Sequence, residues 1–183
     1  MKVLIVVDMQ YDFINGALGT PEAVSIVDNV VKRIEDSTDE LILFTKDTHQ
    51  EDYLTTPEGK KLPVRHCIQG TDGWHIHDAV LGAWRRNRST IYHIDDLHEN
   101  TFAKPVFGST ALVDFLKARE ADITEIEMLG LCTDICVVSN AIMIKNTMPD
   151  VPLSVNSACC AGVTPQSHAE ALNVMKMCQI DIL

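Results

Sequence analysis

Val3-Leu4-Ile5-Val6-Val7-Asp8 is a run of five β-branched or aliphatic residues that stops at a carboxylate. An apolar run without alternation reads as a strand buried on both faces, the kind found in parallel sheets covered by helices. An aspartate at the carboxyl end of such a strand falls where open α/β sheets place their ligand crevice. Outward from this stretch, strand-like runs recur near residues 40–46, 90–94, 125–131, 151–155 and 179–183. Helical patterns lie between them, near 21–36, 109–119, 134–147 and 165–178. In the first of these, Thr20 can cap, Pro21 suits the first turn, and Ala23, Ile26, Val27, Val30, Val31 and Ile34 share one face. The alternation predicts a three-layer α/β/α sandwich around a mainly parallel six-stranded sheet, one domain over residues 1–183. Residues 47–89 form a long irregular stretch, assigned to a site, a pocket rim and a subunit contact.

The second informative stretch is Gly130-Leu131-Cys132-Thr133-Asp134-Ile135-Cys136-Val137-Val138, where a strand-like run gives way to a helical one. Unpaired backbone N–H groups and the helix dipole at such a start favour a thiolate, so Cys136 is the candidate nucleophile. In mid-chain, Asn100 to Thr110 places Lys104 in a loop ahead of a helix that Ser109 or Thr110 could cap. Asp47-Thr48-His49 follows the run Leu41 to Thr45, and alternate residues of an extended segment project the same way. Glu58 and His66 lie downstream, and two imidazoles with two carboxylates suit Zn²⁺, Mn²⁺ or Fe²⁺.

Together, Val7-Asp8-Met9-Gln10-x-Asp12-Phe13, the Lys104 loop and Thr133-Asp134-Ile135-Cys136-Val137 resemble, in order and spacing, the three signatures of the isochorismatase-like cysteine hydrolases, the superfamily that includes the nicotinamidases. The resemblance implies a triad of Asp8, Lys104 and Cys136 that cleaves an amide through a thioester. Asp8 would be the base, and Lys104 would hold the carboxylate ionised and stabilise the thiolate. It also implies an oxyanion hole made by the amides of Cys132 and Cys136, with a cis peptide between Leu131 and Cys132. Asp47, His49, Glu58 and His66 resemble the nicotinamidase metal site, with an interval between Glu58 and His66 one residue longer and Leu62 or Pro63 in place of an aromatic, and zinc is the expected ion. Phe13 is the candidate wall against a flat substrate ring. The expected reaction is nicotinamide to nicotinic acid and ammonia. The alternatives are a related amidase acting on another small amide, ureide or carbamoyl compound, and a non-catalytic ligand-binding protein of the same fold. A homodimer or homotetramer is implied by resemblance alone.

The 183 residues carry a formal net charge of −11, which argues against nucleic acid or an anionic membrane surface as partner. The first apolar run is too short for a membrane span and ends in Asp8, so the expected location is the cytoplasm. Six cysteines without a secretion signal are expected to be free thiols. Cys67, Cys159 and Cys160 are assigned to packing, as are Trp74 and Trp84. His75, His77, His93, His98 and His168 lack ligand-like spacing and are read as surface or structural groups.

Overall fold

The computed structural model describes residues 1–38, 40–87 and 99–183. Six strands, β1 (Lys2–Val7), β2 (Glu40–Asp47), β3 (Thr101–Lys104), β4 (Glu125–Leu131), β5 (Leu153–Ala161) and β6 (Asp181–Ile182), form one sheet in the order β3-β2-β1-β4-β5-β6. Every pairing is parallel. Among the described residues, eight α-helices follow in chain order: α1 (Tyr11–Ile14), α2 (Pro21–Ser25), α3 (Val27–Glu35), α4 (Pro57–Lys61), α5 (Asp78–Arg86), α6 (Thr110–Lys117), α7 (Val138–Thr147) and α8 (Pro165–Met177). Helix α3 packs with α5, and α7 contacts both α6 and α8. Helices cover both faces of the sheet, giving the three layers expected.

Central strand β1 is buried from Val3 through Val7, as its unbroken apolar run requires. The chain builds the sheet outward from β1 through β2 to β3, then returns to β4 on the other side of β1. The strand order therefore reverses between β1 and β4, and crevices open at such a point beyond the strands' carboxyl ends. Gly130 makes the closeness of β1 and β4 possible. Its φ is +118°, and a Cβ built there would lie 2.1 Å from the Val7 carbonyl oxygen.

Several boundaries differ from the sequence reading. The expected strand near 90–94 lies outside the described residues, as do His93 and His98. Lys104 is the last residue of β3 rather than part of a loop, paired in register with Asp47. Four residues followed by Pro105 carry too little pattern to announce an edge strand; pairing with β2 is what orders them. The helix expected over 21–36 is divided at Ile26, with Thr20 capping α2 by accepting from Ala23 N–H at 3.0 Å. The helix expected from 134 begins as a π-helical turn, Thr133–Val137, and becomes regular at Val138. Residues 47–89 hold two short α-helices, and Thr56 caps α4 by accepting from Gly59 N–H at 3.0 Å.

Both tryptophans fasten this segment. Trp84 meets Phe44 edge to face, with ring centroids 5.9 Å apart, while Trp74 donates its indole N–H to Thr48 Oγ1 at 2.9 Å. All six cysteines are free, with Cys67, Cys159 and Cys160 buried. Among the described residues, no helix is long and apolar enough to cross a membrane.

Candidate active site at the carboxyl ends of the strands

Four neighbouring strands each end in one polar side chain of the same buried cluster. Asp8 follows β1, Asp47 closes β2, Lys104 closes β3, and Cys136 lies in the turn after β4. The Lys104 ammonium sits 2.6 Å from Asp8 Oδ2, 3.3 Å from Asp47 Oδ1 and 3.4 Å from Cys136 Sγ. All four are withdrawn from solvent, with Asp8 fully buried and Lys104 1% exposed. A charge so buried is tolerated only when paired, and Lys104 has two carboxylates.

Asp8 adopts a left-handed backbone, φ +45°, which short polar residues tolerate better than branched ones. Thr45 of β2 holds it there. The Asp8 N–H points at both the carbonyl (3.3 Å) and the hydroxyl (3.2 Å) of Thr45, whose hydroxyl donates to Asp8 Oδ1 at 2.7 Å.

Burial raises the Asp8 carboxyl above the ordinary carboxylate range, against the pull of Lys104, and the Asp47 charge raises it further. Lys104 is itself raised despite burial, because Asp8, Cys136 and Asp47 surround it. Burial and the Asp8 charge push the Cys136 thiol well up, with Lys104 opposing. Burial of the sulfur thus opposes the thiolate that the helix start favours, and the Lys104 ammonium 3.4 Å away works with the dipole. The Leu131–Cys132 peptide is cis, as the resemblance implied.

The second constellation adjoins the first through Asp47. Its Oδ2 lies 3.0 Å from His49 Nε2 and 3.5 Å from His66 Nε2. One ligand atom from each of Asp47, His49 and His66 falls within 4.8 Å of the others. Backbone pairing aligns the two imidazoles, because His49 N–H donates to the Cys67 carbonyl at 2.9 Å and Gln69 N–H returns to the His49 carbonyl at 2.9 Å. His66 Nδ1 contacts the Val64 carbonyl at 2.8 Å. A carbonyl can only accept, so Nδ1 carries a proton and Nε2 is the ring nitrogen that faces Asp47.

His49 Nε2 is buried and, although 3.0 Å from Asp47 Oδ2, makes no hydrogen bond of proper geometry, a state that a cation between them would relieve. Burial acts to raise Asp47, but contacts from His49 and His66 and the charge of Lys104 hold it below the ordinary carboxylate range. The donor set therefore fits a divalent ion. Glu58, on α4, is more exposed, lies 3.7 Å from His49 Nε2 and falls outside the group formed by Asp47, His49 and His66.

Phe13 packs on His66, with centroids 5.6 Å apart, and Tyr53 packs on both imidazoles. A cleft of about 840 Å³ reaches His49 and Glu58 and is lined also by Tyr53, Leu62, Phe107 and Ile135, the residue before Cys136. Sequence reading assigned no role to Gln10, although it lies two residues beyond Asp8. Its buried amide brackets Asp47, accepting from Asp47 N–H at 2.7 Å and donating to the Asp47 carbonyl at 2.9 Å and the Trp74 carbonyl at 2.8 Å. His168, read as a surface or structural group, has Nδ1 2.8 Å from Thr133 Oγ1 at the start of the nucleophile turn.

A nicotinamidase of Escherichia coli (strain K12) is 28% identical over 160 residues, covering 74% of this chain and 72% of that one. The crystal structure of a pyrazinamidase/nicotinamidase from Streptococcus mutans UA159 superposes with a TM-score of 0.80 at 26% identity, covering all of both chains. That of a pyrazinamidase of Pyrococcus horikoshii in complex with zinc gives 0.76 at 26% identity, covering 100% of this chain and 98% of that one. The profile of the Isochorismatase domain matches residues 2–183, and the chain belongs to that family.

Proposed function

We propose that this chain is an amidohydrolase that converts nicotinamide, or a closely similar heteroaromatic carboxamide, to the acid and ammonia through a thioester on Cys136. The observation that carries the reading is the single ammonium of Lys104 contacting Asp8, Asp47 and Cys136 in one buried cluster. The names of the similar proteins, two of them nicotinamidases by description, point to the same substrate class.

Asp8, its carboxyl raised by burial, takes the thiol proton as Cys136 Sγ attacks the carbonyl carbon. The negative oxygen that develops is received by the backbone N–H groups of Cys132 and Cys136 at the start of the turn. Asp8–H then gives its proton to the nitrogen, the C–N bond breaks, and ammonia leaves. Water attacks the thioester with Asp8 again accepting a proton, releasing the carboxylic acid and restoring the thiol. Throughout, Lys104 keeps the negative charge that moves between sulfur and carboxylate paired.

Asp47, His49 and His66, with Glu58 as a fourth candidate, would hold a divalent ion, zinc being the expected one. When bound, the ion supplies a Lewis-acid position for a ring nitrogen. Phe13 shapes the site from behind His66.

The test is an acid quench during turnover of nicotinamide, followed by intact mass and peptide mapping. A nicotinoyl adduct on Cys136 supports the reading. Turnover with an unmodified Cys136, or an adduct on another residue, overturns it.

A further inference from the structure

Asn140 lies on α7, one turn beyond Cys136, and is fully buried. Its side chain makes three hydrogen bonds, all to backbone. Oδ1 accepts from Ser109 N–H at 2.9 Å; Nδ2 donates to the Cys136 carbonyl at 2.7 Å and to the Phe107 carbonyl at 3.2 Å. The amide's orientation follows from its partners, since one is an N–H and two are carbonyls.

Those partners belong to three segments of the chain. Cys136 carries the nucleophile, Phe107 lines the cleft, and Ser109 caps α6 at the end of the loop that starts just after Lys104. A separate contact holds the same loop against the same helix. A Cβ on Gly108 would lie 2.4 Å from Met143 Sδ, one turn after Asn140, so the loop backbone lies close against the Met143 side chain of α7.

We infer that Asn140 is a positioning residue that sets the separation between the cleft wall at Phe107 and the sulfur of Cys136. The inference rests on the proposed cysteine chemistry, because the distance matters only if Cys136 attacks a substrate lying against that wall. One amide joins wall to nucleophile, so its loss releases both together. A ring held by the wall then meets the sulfur in altered geometry, and misplacement of about 1 Å can cost on the order of 10²-fold in rate.

The experiment uses the whole protein. Asn140→Asp keeps the shape and the acceptor for Ser109 but loses the donors when ionised, and Asn140→Ser keeps one donor in less volume. Ser109→Ala is the comparison: it removes the hydroxyl that caps α6 at Leu112, 3.2 Å, on the same loop and leaves every Asn140 partner in place. For each protein, kcat and KM on nicotinamide are measured per folded enzyme, together with the second-order rate of Cys136 alkylation by iodoacetamide without substrate.

We expect both Asn140 variants to lose about 10- to 100-fold in kcat/KM, with kcat and KM both affected. Their alkylation rate should shift at least fivefold, while Ser109→Ala stays within twofold of wild type on every kinetic measure despite a lower Tm. Wild-type kcat, KM and alkylation rate in folded Asn140→Asp, or equal losses in Ser109→Ala, would overturn the inference. Failure of the wild-type chain to hydrolyse nicotinamide counts against the proposed function instead, and the alkylation rates still decide on Asn140.

Discussion

Cys136 differs from the other five cysteines in what surrounds its sulfur. Lys104 Nζ is 3.4 Å away and Asp8 is near enough to hold the thiol proton, whereas Cys160 is pushed up to about 12 by burial with no cation to offset it. Cys136→Ala is expected to remove turnover completely and leave Tm nearly unchanged, because thiol to methyl is a small change in a packed site. Cys132, pushed up to about 12 by burial and the charges of Asp134 and Asp8, contributes its backbone alone, so Cys132→Ala should retain most activity. Comparable losses from both substitutions contradict the assignment. Asp8→Asn should lower the rate by about 10² to 10⁴, the usual contribution of a positioned base, with binding of nicotinamide kept. Steady-state kinetics beside a calorimetric binding measurement checks this, and near-wild-type turnover would exclude Asp8 as the base.

At the scale of elements, charged groups at the opposite end of the sheet from the site join α3 to its strands. Arg33 contacts Glu40 at 2.9 Å and Glu127 at 2.7 Å, and Asn156 of β5 donates to Glu127 at 3.0 Å. Burial works to raise Glu127, but these partners hold it below its ordinary value. A depressed carboxyl adds stability above the unfolded-state pKa of about 4.3 and loses it as pH falls through the lower folded value. Glu127→Gln should therefore cost about 1 to 3 kcal/mol at pH 7 and progressively less below about pH 4, read from urea unfolding at both pH values. An equal cost at both would remove the charge from the account. The same scale shows how far the sequence could be read. Strand β1, the Thr20 cap and the turn before α7 were legible because short-range pattern determines them. Strand β3 was not, since Thr101-Phe102-Ala103-Lys104 becomes a strand through its register with Phe44 to Asp47. Asp8, Lys104 and Cys136 were legible as motifs. Gln10 and Asn140 were not, because an amide bonded to backbone on distant segments leaves no spacing to find.

Across the whole molecule, the parallel order of the strands gathers four side chains from four strand ends, and Asp47 belongs to both constellations they form. Ion binding and catalysis should therefore fail together at Asp47. Zinc at 100 times its Kd should stabilise the folded protein by about 2.7 kcal/mol, and Asp47→Asn or His66→Ala should abolish the accompanying rise in Tm. An unchanged rise in both variants would place the ion elsewhere. The central claim, hydrolysis of a nicotinamide-like amide by Cys136 beside a metal-binding group, is tested most directly by ammonia release from nicotinamide, pyrazinamide and benzamide. Wild-type and Cys136→Ala proteins would be assayed before and after metal removal verified by elemental analysis. The account predicts ammonia and acid in equal amounts from the two ring-nitrogen amides with wild type, none with Cys136→Ala, and a much larger fall on metal removal for nicotinamide than for benzamide. Ammonia release by Cys136→Ala at the wild-type rate, or no release from any of the three amides by metal-replete wild type, would contradict it.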